Sequence, residues 1–186
     1  MRPRIFFAPL IAGLFISFSL SQRALADSRG NIGLLGGVAL PSLSSNVFAW
    51  GFAGMYRTSP LMAVGPFFFK YGMGLETTSD TGNAIVSSSS LFYGVEADAI
   101  LKDSLRGFQI GLKLGIAHLS TEVEAWDSVS SISISNTLNK FFLGPKLGYD
   151  YPVGRFTVGG ELSYIFGIGP YSPKVFSLLL APKFVF

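Results

Sequence analysis

Gly107–Leu119 reads GFQIGLKLGIAHL, and its apolar residues fall at every second position. Phe108, Ile110, Leu112, Leu114 and Ile116 share one parity; Gly107, Gln109, Gly111, Lys113, Gly115 and Ala117 share the other. A helix would space its apolar residues three and four apart, so this stretch is a strand. Its second face is mostly glycine, which weakens an ordinary strand but suits the crowded interior of a narrow barrel. Apolar on one face and small or charged on the other is the alternation of a barrel that faces lipid outward.

Seven other segments read the same way. In LFYGVEADAIL, Leu91, Tyr93, Val95, Ala97 and Ala99 oppose Gly94, Glu96 and Asp98. In KFFLGPKLGYDY, Phe141, Leu143, Leu147, Tyr149 and Tyr151 oppose Lys140, Phe142, Gly144, Lys146, Gly148 and Asp150. Phe156, Val158, Leu162, Tyr164 and Phe166 oppose Thr157, Gly159, Glu161 and Ser163. The last segment sets Phe176, Leu178, Leu180, Phe184 and Phe186 against Ser177, Ala181 and Lys183. Three earlier segments, near Asn31–Leu40, Trp50–Arg57 and Met62–Leu75, alternate less cleanly. Their connections alternate in length. Short links lie at Thr58–Leu61, Lys102–Arg106 and Pro152–Gly154, and longer ones at Pro41–Ala49, Glu76–Ser90, Ser120–Leu138 and Ile168–Pro173. Tight periplasmic turns and long extracellular loops give this asymmetry. The expected fold is therefore all-β, a transmembrane antiparallel up-and-down barrel of eight strands.

The front of the chain fits the same destination. Arg2 and Arg4 precede the uncharged stretch Ile5–Leu20, and SQRALA then places small residues at Ala24 and Ala26. This is the order of a secretory signal, with cleavage expected after Ala26. Residues 1–26 are thus read as a cleaved signal and residues 27–186 as one barrel domain. Three of the 14 basic residues lie in the signal and all 11 acidic residues lie beyond it, so the mature net charge is zero. The +3 of the whole chain gives no reason to invoke nucleic acid. There is no cysteine, which excludes disulfides and thiolate metal sites. Apolar residues make up 49% of the chain and charged residues only 13%. An exported chain this greasy, with no apolar run long enough for a spanning helix beyond the signal, can cross a bilayer only as a closed barrel.

Aromatic residues cluster near the expected strand ends: Trp50, Tyr56, Tyr71, Tyr93, Tyr149, Tyr151, Tyr164 and Tyr171. They are read as interfacial girdles, since an amphipathic ring favours the headgroup layer. The sequence closes on APKFVF, with Phe184 and Phe186 on the outward parity. That tail resembles the C-terminal assembly signal of bacterial outer-membrane proteins, which implies recognition by the barrel-assembly machinery. Residues 27–186 as a whole resemble the small eight-stranded outer-membrane barrels of the OmpX and OmpA-transmembrane-domain type. The resemblance implies an outer-membrane location and contact with outer-membrane lipid and lipopolysaccharide. It selects no subfamily and no activity.

Several groups of residues are candidates for function. Arg57, Lys70, Lys113, Lys146 and Lys183 share the inward parity with Glu96, Asp98, Asp150 and Glu161. Eight strands leave an interior that side chains fill, so these charges are expected to pair and plug the lumen; the alternative is a small channel for ions or apolar solutes. His118, the only histidine, shares the outward parity with Ser120, and Glu122 and Glu124 follow. Lipid A deacylases are similar barrels with a lipid-facing His-x-Ser pair and a Glu. By that resemblance His118 would be the base and Ser120 the nucleophile, but Thr121 stands where that family has Asn, and no acid stands at its wider spacing. Glu76, Asp80, Glu122, Glu124 and Asp127 form an acidic loop rim. Such a rim offers sites for divalent cations bridging to lipopolysaccharide, or a contact for a basic partner. The loop TEVEAWDSVSSISISNTL also alternates, which predicts a ribbon extending strands five and six, with an edge that can add a partner strand. No phosphate, dinucleotide or metal motif is present, and no cofactor is expected. A non-enzymatic structural or surface-interaction protein is the expected function, in adhesion or envelope integrity.

Overall fold

The computed structural model describes residues 29–41, 46–79, 82–101, 107–126, 130–170 and 172–186. The expected signal lies outside them, as do Asp80, Lys102, Arg106, Asp127, Tyr171 and the side chain of Glu76. Eight strands follow one another: β1 (Gly30–Pro41), β2 (Val47–Ser59), β3 (Met62–Ser79), β4 (Gly82–Ile100), β5 (Gly107–Trp126), β6 (Ser131–Val153), β7 (Phe156–Gly167) and β8 (Lys174–Val185). Each pairs antiparallel with its neighbour, and β1 pairs with β8 from Asn31↔Val185 to Pro41↔Val175, closing the barrel. Closure leaves the barrel body without a sheet edge, so its backbone polar groups are paired within the wall.

Alternation sorts the residues between the two faces as the parities predict along β4 to β8. Phe108, Ile110, Leu112 and Leu114 are exposed on the outside of β5, while Gln109, Lys113 and Ala117 are buried within. The glycines on the inner face have a more specific reason than a crowded lumen. Gly94 of β4 pairs with Gly115 of β5, and a Cβ on either would overlap the backbone of the other strand. The two strands approach too closely there for any side chain. Gly111 and Gly159 act differently, since the carboxylates of Asp98 and Asp150 lie over them. At the β6–β7 turn, Gly154 takes φ +64°, a conformation that glycine adopts without steric cost.

Two expectations are corrected. The Glu76–Ser90 loop is mostly strand: β3 and β4 stay paired from Met62↔Ala99 to Ser79↔Gly82. Four consecutive serines, Ser87–Ser90, hide the alternation that marks a strand in sequence. Lys70 and Tyr71 also exchange faces. In β3 the even residues face outward, so Lys70 leaves the lumen and Tyr71 leaves the expected girdle for the interior, where it is 4% exposed. Phe67, Phe68 and Phe69 run unbroken before them, so polarity there carries no parity signal. Pairing decides instead: Lys70 stands opposite exposed Trp50.

Candidate functional site: a two-tier lumen and an outer sheet

The lumen is filled in two tiers. In the half nearer the short turns, Lys146 contacts the carboxylates of Glu96, Asp98 (2.7 Å) and Glu161 (3.7 Å). Lys113 contacts Glu161 and also Glu96 (3.5 Å). Lys183 donates to both carboxylate oxygens of Asp150, at 2.9 and 2.8 Å, and Gln109 donates to the same group at 2.9 Å. All seven charged residues of this set are under 9% exposed. A charge is tolerable at such burial only when paired and hydrogen-bonded. Arg57 sits at the β2–β3 turn and donates to the carbonyls of Ser59 and Pro60.

Above the charges lies a tier of aromatics. Phe67, Phe69, Tyr71, Phe92 and Phe142 pack ring to ring, with centroids 5.5–6.0 Å apart, and bury almost completely. Leu35, Ile165, Val175 and Leu179 complete this core from the opposite wall. The Lys113 ammonium stands 5.0 Å from the centre of the Phe67 ring, joining the tiers by a cation–π contact. Sequence parity identified the charges but not the cap, because Tyr71 was placed outside.

Beyond this cap, β3 to β6 continue as a sheet that the other four strands do not follow. Pairing between β2 and β3 ends at Ala49↔Tyr71, and between β6 and β7 at Phe142↔Gly167. β5 and β6 remain paired to Trp126↔Ser131, and among the described residues 131–140 of β6 form an open edge beyond the last bond, from the Ile168 amide to the Phe141 carbonyl. Polarity inverts along this sheet. On the barrel, apolar residues face outward; on the extension most of them occupy the continuation of the inner face, beside Thr121, Asn136 and Lys140, while Ile85 and Trp126 stay outward. Leu119, Val123, Leu138, Ile134, Ile132 and Val86 lie on that inner face, with Ile132 and Ile134 each 61% exposed. The outward continuation carries Ser120, Glu122 and Glu124 on β5 and Ser131, Ser133, Ser135 and Thr137 on β6. Glu122 and Glu124 are exposed.

His118 stands at the base of this extension, on the outside. Its Nδ1 lies 2.8 Å from Oδ1 of Asn139, its cross-strand partner. Ser120 is the next residue on that face, and its backbone carbonyl accepts a hydrogen bond from Ser88 at 3.4 Å. The histidine is thus engaged by Asn139, a residue that sequence reasoning did not single out. Among the described residues, no group of three His, Asp or Glu side chains could hold a metal ion.

Outside the barrel body the exposed apolar band is bounded by rings. Tyr56, Tyr149, Tyr151, Phe156, Phe184 and Phe186 are exposed toward the short turns, and Trp50 and Tyr164 toward the other rim. Phe184 meets Phe156 edge to face at 5.5 Å. The Phe186 carbonyl accepts from the amides of Arg29 and Gly30 at 2.8 and 2.9 Å.

The chain has the fold of the small eight-stranded outer-membrane barrels. Two structures of Ail, the attachment invasion locus protein of Yersinia pestis, superpose on it. One, in complex with the heparin analogue sucrose octasulfate, gives a TM-score of 0.58 at 17% identity, covering 86% of this chain and 97% of Ail. The other gives 0.55 at 15% identity over the same shares. The N-terminal β-barrel domain of Pseudomonas aeruginosa OprF matches with a TM-score of 0.43 at 14% identity, covering 86% of this chain and 99% of that domain. No family model and no curated protein sequence matches the chain.

Proposed function

We propose that this chain is an integral outer-membrane protein with a plugged lumen and a surface-interaction role carried by the β3–β6 extension. The exposed apolar band with aromatic rims supports the membrane placement, because no polar solvent accounts for so many outward Leu, Ile and Phe side chains. The fold shared with Ail supports the kind of role. The observation that carries the proposal is the inversion of polarity. A sheet that projects beyond the barrel, mostly apolar on one face and open along one edge, offers both a buried contact and backbone pairing to another polypeptide. Its other face carries Glu122 and Glu124, which suit a basic partner and oppose a polyanion such as the one bound to Ail. In this reading Phe184 and Phe186 serve assembly, and residues 1–26 direct export.

The aromatic tier favours the plug over the channel, since ions would have to pass buried, close-packed rings. No catalysis is assigned to His118 and Ser120, since the partner of the imidazole at Nδ1 is the Asn139 amide oxygen and not a carboxylate. The test is attachment of cells displaying the chain to immobilised extracellular proteins. Ile132→Ser with Ile134→Ser should fold, shift on heating in detergent gels as the unmutated chain does, and lose attachment about tenfold or more. Equal attachment by folded variant and unmutated chain would remove the role from this sheet.

A further inference from the structure

Lys70, Leu91, His118 and Asn139 stand in one row across β3, β4, β5 and β6, fixed by the pairs Lys70↔Leu91, Leu91↔His118 and His118↔Asn139. All four face outward, and the row begins on β2 at exposed Trp50. The next outward row toward the short turns is Phe68, Tyr93, Ile116 and Phe141, all apolar or aromatic. The next row the other way is Gly72, Ser89, Ser120 and Thr137. The row therefore sets an ammonium, an imidazole and an amide in one register where the apolar band gives way to polar wall.

We propose that this row holds the phosphate-bearing headgroup of a membrane lipid, a site that rests on the outer-membrane placement above. Charge order is the first argument. Among the described residues Lys70 forms no ion pair, and the nearest outward carboxylate on β5 is Glu122, about 13 Å along the strand from His118. An ammonium with no ion pair among the described residues is satisfied at the lipid boundary by a phosphate that the bilayer itself supplies. Its apolar stem lies against the band while its head reaches toward water, which brings the charge up to the level of the histidine.

Donor geometry is the second. His118 Nδ1 faces an Asn139 carbonyl oxygen, which accepts, so Nδ1 is the donor and Nε2 is left for a second partner. In that tautomer Nε2 accepts, and a phosphate monoester that keeps one P–OH group can donate to it. The Asn139 amide nitrogen adds a further donor. Lys70 and His118 are two strand spacings apart, about 10 Å, with Leu91 between them. A lysine stem spans most of that gap, so both heads can reach one phosphate while Leu91 meets the acyl chain below it.

The full chain, refolded into detergent micelles, is mixed with lipid A, and retained lipid is counted by native mass spectrometry. Lipid A should be retained about tenfold more than its dephosphorylated form, because charge-assisted bonds to the phosphate are the difference. Lys70→Ala with His118→Ala should abolish that preference, and Lys70→Arg should keep it. Millimolar inorganic phosphate should leave the bound lipid in place. Equal retention of both lipids, a preference that survives the double variant, or displacement by free phosphate would each overturn the site. Absence of a heat-dependent mobility shift in the refolded unmutated chain would instead sink the membrane reading on which the site rests.

Discussion

Lys146 meets three carboxylates inside the barrel, and its loss would leave buried Asp98 without its ion-pair partner and Glu96 and Glu161 sharing Lys113 alone. Removing one partner of a buried charge network costs about 3–5 kcal/mol, because the remaining charges keep their desolvation penalty. Lys146→Ala should therefore lower the stability of the lipid-embedded barrel by that order, measured as a shift in its urea unfolding midpoint. An unchanged midpoint would mean that water reaches the carboxylates. Gly115 is decisive for a different reason. Its Cβ position is taken by the β4 backbone at Tyr93 and Gly94, so Gly115→Val cannot be absorbed by a rotamer change. That variant should give no heat-shifted band on a detergent gel, whereas Leu114→Val on the outside should give the normal one. The charges were legible in sequence because parity put them on one face. The backbone contact at Gly115 was not, since the sequence marks a small residue there without naming what approaches it.

The outer halves of β5 and β6 form a hairpin paired well beyond the barrel rim, to Trp126↔Ser131. The barrel body does not depend on it, because β6 meets the β7 segment only from Phe141 onward and β5 meets β4 along the whole wall. Replacing residues 122–135 by a two-residue Asn-Gly turn should leave folding and heat-modifiability intact, since that turn suits a two-stranded ribbon. Loss of the folded band would show that the hairpin takes part in the barrel's own stability. The alternation of SISISN made this element visible in the sequence. Its counterpart in β4 was invisible, because a serine run has no polarity contrast between its faces and only pairing with Tyr71–Gly74 and β5 reveals the strand.

At the scale of the whole molecule, closure and filling decide what can pass. A charge tier with an aromatic tier above it is the arrangement from which the plug is proposed. Planar bilayers containing the refolded chain should show no unitary conductance steps in molar salt, and Phe92→Ala with Phe142→Ala should be needed to introduce leakage. Discrete steps from the unmutated chain would establish the channel reading and displace the plug.

Strand number, the faces of β4 to β8 and seven of the nine charges expected inside follow from the sequence alone; Arg57 sits at a turn and Lys70 faces outward. A period of two with strong polarity contrast is a local property, readable wherever outside and inside demand opposite chemistry. The aromatic cap, the outward turn of Lys70 and the His118–Asn139 contact were decided only by the tertiary structure. Where apolar residues run unbroken, as at Phe67–Phe69, both faces are greasy and parity carries no information. Register across strands then fixes the face, and register is set by backbone pairing between segments distant in the chain.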